Sequence, residues 1–209
     1  MIILAHRGLW HAESEQNSAA AIKRALDAGF GVETDLRDRG GSIVVSHDPP
    51  RGGEMSFESL LSIADLHPGP ALLALNVKAD GLQPLMESAL RARHDYFLFD
   101  MSVPDMVVSI RRGLTCFTRK SDVEPEPVLL DDVEGVWLDS FASSTADVDA
   151  AAALVARGKK VAFVSPELHG RPHQAYWTRL LESGLHLSSD SMLCTDLPDR
   201  AARFFGGRP

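Results

Sequence analysis

Glu33 and Asp35 stand two apart in the run Gly31-Val32-Glu33-Thr34-Asp35, and on a strand that spacing turns both carboxylates to one face. Carboxylates side by side repel unless a cation lies between them, and such oxygen donors suit Mg2+ or Ca2+ better than a thiolate-seeking metal. A solvent-exposed acidic strand would carry the same pair, so the neighbours must decide. His6 closes the apolar run Ile2–Ala5, and His47 follows the apolar run Ile43–Ser46. Cleaving a phosphodiester needs one group to take a proton from the nucleophile and one to give a proton to the leaving oxygen. Imidazoles, which titrate near neutrality, can do either. His6 and His47 are therefore the candidate acid/base pair. Arg7, Lys78 and Arg119 are candidate phosphate contacts, a guanidinium matching a phosphate in bidentate fashion. Each would serve as well as a salt-bridge partner for the chain's many acids.

The elements that must position these residues alternate. Strands are expected at Ile2–Ala5, Val32–Asp35, Leu72–Val77, Phe97–Asp100, Leu114–Thr118, Val136–Asp139, Lys160–Val164 and Met192–Thr195. Helices are expected at Ser18–Ala28, Ser56–Leu66, Leu82–Arg93, Pro104–Arg112, Thr145–Arg157, His173–Glu182 and Pro198–Phe205. Only Lys120–Asp132, with its two prolines, reads as a loop where a crossover helix would lie. Short, nearly all-apolar strands alternating with helices indicate a parallel sheet covered on its outside. An open doubly wound sheet would usually carry a glycine-rich phosphate loop, and no GxGxxG or Walker-type run appears. The expected fold is thus a compact (β/α)8 TIM barrel, a single domain over residues 1–209, with a small insertion after strand 2.

In that fold sites are built at the C-terminal ends of the strands, and there the polar residues gather. The ends carry His6 and Arg7, Glu33 and Asp35, Asn76 and Lys78, Asp100, Arg119, Asp139, then Glu167 with His169, and Asp196. The N-terminal ends show no comparable cluster of acids and histidines. His11, His67, His94, His173 and His186 read as surface or helix-end residues, and Trp10 as a residue that could line the site mouth.

Net charge is −8, which speaks against sequence-independent binding to nucleic acid or an anionic membrane but not against an anionic small molecule. The hydrophobic fraction of 44% suffices for a closed core. No run is long enough to span a membrane, and the apolar start gives no charged leader. Cys116 and Cys194 sit in apolar runs and read as buried thiols. A cytoplasmic location is the expectation.

The segments Ala5-His6-Arg7-Gly8, Gln16-Asn17-Ser18, Gly31-Val32-Glu33-Thr34-Asp35 and Ile43-Val44-Val45-Ser46-His47-Asp48 together resemble the glycerophosphodiester phosphodiesterase family. Cys194-Thr195-Asp196-Leu197-Pro198-Asp199 looks like that family's last strand and turn. The resemblance implies a (β/α)8 barrel, with His6 and His47 as acid and base. It further implies Glu33 and Asp35 as ligands of a divalent cation, Mg2+ or Ca2+, and a small-molecule phosphodiester as substrate. Where the family has Glu-x-Lys on the third strand this chain has Asn76-Val77-Lys78, so Asn76 stands at a ligand position without charge. Asp100 and Asp139 are the acids placed to substitute. Val164-Ser165-Pro166-Glu167-Leu168-His169-Gly170-Arg171 replaces an aromatic stretch of the family, which makes Glu167, His169 and Arg171 candidate contacts to a more polar head group, such as a sugar phosphate. Two other readings stay open: a barrel that binds a phosphorylated ligand with weakened turnover, and a phosphotransfer lyase that stops at a cyclic phosphate.

Overall fold

The helices begin where the sequence offers a hydroxyl. Ser18 Oγ accepts from Ala21 N at 3.2 Å to open α1 (Ala19–Asp27), and Ser56 Oγ accepts from Ser59 N at 3.1 Å to open α2 (Phe57–Leu66). Each bond satisfies one of the backbone donors that a helix start leaves unpaired. After α3 (Gln83–Leu90), Ser102 does the same for α4 (Val103–Arg111). Three more helices follow, α5 (Ala146–Ala156), α6 (Gln174–Glu182) and α7 (Pro198–Phe204). The computed structural model describes residues 1–91, 95–142 and 146–206, without the side chains of 146 and 147. The expected helix end at Arg93, the expected helix start at Thr145 and the surface reading of His94 lie outside the described residues.

The chain divides into two units, one of Ala5–Cys116 and one of Met1–Leu4 with the residues from Phe117 onward. Strand β1 (Ile2–His6) starts in the second and ends in the first. In the first unit, β2 (Gly31–Arg39) pairs antiparallel with β3 (Ser42–Val45), which is the short insertion. On its other side β2 runs parallel to β4 (Leu73–Val77), and β4 runs parallel to β5 (Tyr96–Phe99). The β2–β4 register sets Asp35 opposite Asn76. In the second unit β6 (Phe117–Lys120), β7 (Gly135–Leu138), β8 (Lys160–Val164) and β9 (Ser191–Thr195) are successive parallel neighbours. All of β4, β5, β7 and β9 is buried, as strands covered on both faces require.

Most expected strands are met within a residue or two. β2 runs on to Arg39 because its outer half pairs with β3. β6 starts at Phe117 and not at Leu114; just before it, Cys116 bridges in parallel to Leu98 of β5. Arg119 therefore lies inside β6. Residues 121–134 carry no helix, as the two prolines lead one to expect; Ser121 Oγ instead accepts from Val123 N and Glu124 N to form a turn. Neither cysteine is in a disulfide and both are buried; burial together with the nearby Asp105 charge pushes the Cys116 thiol up to about 12.

Candidate functional site

At the end of β1 the chain turns sharply. Arg7 has φ +57° and Gly8 φ +90°. A Cβ on Gly8 would lie 2.7 Å from the Ala21 backbone, so only glycine lets the turn approach α1 this closely. The turn is fixed by Arg7 N donating to Glu33 O at 2.9 Å and by Trp10 Nε1 donating to His6 O at 3.0 Å. Trp10 thus braces the turn that carries His6. Asn17 and Asp100 also hold positive φ, +59° and +65°. Asn and Asp adopt this left-handed conformation more readily than other non-glycine residues.

Around this turn the unit gathers seven of the predicted site residues. His6 Nε2 lies 3.9 Å from Glu33 Oε2. Arg7 Nε lies 3.2 Å and Lys78 Nζ 3.4 Å from Asp35, and Asn17 Nδ2 donates to Asp35 Oδ2 at 2.8 Å. Arg7 Nη1 also donates to Gln16 Oε1 at 3.0 Å. Asn76 Nδ2 donates to Asp100 Oδ2 at 3.1 Å. Glu33 is 2% exposed, Asp35 1% and Asn76 6%. His47 stands apart in this network: it is 47% exposed, and its Nδ1 lies 2.9 Å from Asp48 Oδ1. If Nδ1 carries the proton and donates it to Asp48, Nε2 is left with a free lone pair, the arrangement a general base needs. The same contact holds the Asp48 carboxyl below its usual range. His47 and Arg7 share a cleft of about 660 Å³, whose other walls include Gln16, Asn17 and Ser46.

These donors suit a hard divalent cation. Two buried carboxylates share a strand face, and Asn76 Oδ1 is buried without a hydrogen-bond partner. An acceptor oxygen left over beside carboxylates is what an oxygen-seeking ion would use. The third donor is an amide, and among the described residues no three His, Cys, Asp or Glu gather as a metal group.

Burial, then repulsion from Asp35, raises Glu33 to about 7, against partial relief from His6, Lys78 and Arg7. Since its folded value exceeds its ordinary one near 4.5, the native state binds the extra proton between those limits. Stability from this group is present below about pH 4.5 and is lost as pH rises toward 7, by at most about 1.4 kcal/mol per pH unit. Urea melts of the metal-free chain should show that decline, and saturating Mg2+ or Ca2+ should flatten it. A profile unchanged by Glu33→Gln would refute the assignment.

The second unit carries another polar group. His169, in a short 3-10 turn after β8 (Pro166–His169), places Nε2 2.7 Å from Asp139 Oδ1, and Phe141 packs against its ring at 5.1 Å. Arg171 Nη2 donates to Ser140 O. Glu167 accepts from the hydroxyls of Ser165 and Thr195, and Trp177 Nε1 donates to Ser165 Oγ at 2.8 Å. Both Glu167 oxygens are thus engaged in joining the ends of β8 and β9. Arg119 pairs with Glu124 in the turn after β6. His173 stands at the N-terminal end of α6, as a helix-end residue, and is buried against Trp177 at a ring distance of 4.2 Å. Reading the sequence missed Asn17, which also accepts from Thr34 Oγ1 at 2.7 Å, and it missed the Asp139–His169 pair.

No family model matches the chain, and no curated protein matches it by sequence. Solved structures do. A protein of Galdieria sulphuraria assigned as a glycerophosphodiester phosphodiesterase superposes with TM-score 0.75 at 15% identity, covering 99% of this chain and 98% of that one. An Oleispira antarctica phosphodiesterase, solved with its product sn-glycerol-3-phosphate, gives 0.71 at 15% identity over 99% and 97%. A Ca2+-dependent phosphatidylinositol-specific phospholipase C of Streptomyces antibioticus gives 0.57 at 14% over 96% and 95%. These likenesses show the fold, a (β/α)8 TIM barrel.

Proposed function

We propose that this chain is a phosphoric diester hydrolase of the glycerophosphodiester phosphodiesterase kind, acting with a divalent cation on a small glycerophosphodiester-like or sugar phosphodiester. The observation that carries the reading is the grouping of His6 with Glu33 and of Arg7, Lys78 and Asn17 around Asp35. Arg7 and Lys78 can release Asp35 to hold the phosphoryl oxygens, since both cations are partly open to solvent. His6 and His47 share proton transfer, one accepting from the attacking hydroxyl or water and one donating to the leaving oxygen. Glu33, Asp35 and Asn76, with Asp100 behind Asn76, would hold Mg2+ or Ca2+, which when bound offsets charge on the phosphoryl oxygens. Arg119 is proposed as a further phosphate contact, and Glu167, His169 and Arg171 as contacts to the head group, Glu167 through the turn it anchors. The Oleispira phosphodiesterase, solved with sn-glycerol-3-phosphate, supports a small-molecule substrate. Among the described residues no helix is long and apolar enough to cross a membrane.

One observation favours a second reading. Asn76 brings no charge where a third carboxylate would tighten the ion, as suits a barrel that binds a phosphorylated ligand with weak turnover. A lyase ending at a cyclic phosphate would leave the same site residues in place. The decisive assay is hydrolysis of bis(p-nitrophenyl) phosphate and a glycerophosphodiester panel with Mg2+, Ca2+, Mn2+ or EDTA, with products followed by phosphorus NMR. Metal-dependent release of a monoester is expected. A persistent cyclic phosphate would move the reading to the lyase, and no turnover from folded protein with any metal would move it to the binder.

A further inference from the structure

In the second unit the segment after β7 is tied from both sides. Asp122, after β6, accepts from Phe141 N at 2.9 Å and Ala142 N at 2.6 Å, and Arg171, after β8, donates to Ser140 O. Asp139 is 8% exposed, and its Oδ1 accepts from Ser140 N and His169 Nε2, both at 2.7 Å. The side chain of His169 is 27% exposed, and Phe141 supports its ring at 5.1 Å. A buried carboxylate thus orients an imidazole that solvent reaches. Burying an acid carries a desolvation cost, which an imidazole already open to water does not require for folding.

The bond to Asp139 decides what the other ring nitrogen can do. An ionised carboxylate only accepts, so Nε2 carries the proton and Nδ1 keeps its lone pair. Among the described residues Nδ1 has no hydrogen-bond partner. A second proton on the ring turns Nδ1 into a donor. A hydroxyl suits both forms, donating to the lone pair or accepting from the N–H. A trimethylammonium suits neither. Such groups are held by cages of several aromatic faces, whereas Phe141 is in ring contact with His169 alone among the described residues. Glu167, the acid of the same turn, has both oxygens engaged by Ser165 and Thr195 and is not open to a cationic head group. These loops follow the C-terminal ends of β6, β7 and β8, where enzymes of this fold meet their substrates. We propose that the head group of the substrate is a polyol with one hydroxyl paired to Nδ1 of His169. Asp139 is the positioning residue that fixes the ring, and this assignment rests on the hydrolase reading above.

The test compares kcat/KM for glycerophosphoglycerol and glycerophosphocholine, which differ in the head group alone, in the parent, H169A and D139N. The parent should prefer the polyol diester by about tenfold or more, the effect of one hydrogen bond whose loss leaves a polar atom unpaired. H169A should bring the ratio near one. D139N should lower it in part, through KM with kcat held, as positioning requires. A parent that treats the two diesters alike would overturn the proposal, as would H169A with the parental ratio. A parental ratio in D139N would remove Asp139 from the role. If folded protein turns over no diester, the hydrolase reading fails by itself, and binding then judges the head group. Calorimetry with sn-glycerol 3-phosphate and phosphocholine should show tighter glycerol 3-phosphate in the parent and loss of that advantage in H169A. Equal affinities in the parent, or an advantage kept in H169A, would overturn the polyol assignment.

Discussion

Replacing His47 with alanine should lower diester turnover by about 10²–10⁴-fold, the usual contribution of a positioned acid or base, and leave the fold and divalent-ion binding intact. The imidazole is half exposed, and among its described contacts the ring touches only Asp48. The backbone oxygen of His47, which accepts from Arg37 Nε at 2.8 Å, is untouched by the change. Stability should therefore move by less than about 0.5 kcal/mol, as for other surface substitutions. His6→Ala should also stop turnover, but with a shifted melt, because His6 lies against buried Glu33. The checks are kcat on the best diester of the panel, the melting temperature, and the rise in that temperature on adding Mg2+ or Ca2+. A His47→Ala variant with parental kcat would remove His47 from the chemistry.

How much of this was legible beforehand depends on the range of the interaction. Ser18, Ser56 and Gly29 mark helix ends through bonds and angles set within a few residues, so the sequence displays them. The Glu33–Asp35 face follows from strand alternation alone. What the sequence could not display is pairing across the fold. Asp139 and His169 are 30 residues apart and meet at 2.7 Å only because β7 and β8 run side by side. Glu167 reads as a loop acid free to touch a ligand, yet hydroxyls from Ser165 and from Thr195, 28 residues on, occupy both of its oxygens. Asn17 stood in the quoted Gln16-Asn17-Ser18 motif, but its work on Asp35 needs the +59° backbone turn that only the folded chain reveals.

Asp35→Ala should cost about 3–5 kcal/mol of stability, the range found when one partner of a buried ion pair is deleted. Asp35 is 1% exposed and faces Arg7 Nε at 3.2 Å and Lys78 Nζ at 3.4 Å. Without it those two cations confront each other, with Glu33 the remaining carboxylate nearby, itself held partly protonated near neutral pH. The amide of Asn17 loses its acceptor as well. A test of this account is to remove a cation in the same background. Lys78→Met alone should destabilise, whereas Asp35→Ala/Lys78→Met should regain part of the loss, giving a coupling energy of about 0.5–3 kcal/mol. Additive losses in urea melts would mean that Asp35 is not the counter-charge of Lys78. The same cycle bears on the proposed function, because the charge that steadies Arg7 and Lys78 is one that a bound phosphodiester would take over. Adding a phosphate monoester should therefore narrow the stability gap between Asp35→Ala and the parent. A gap that stays constant at saturating ligand would show that the two cations do not meet the phosphate.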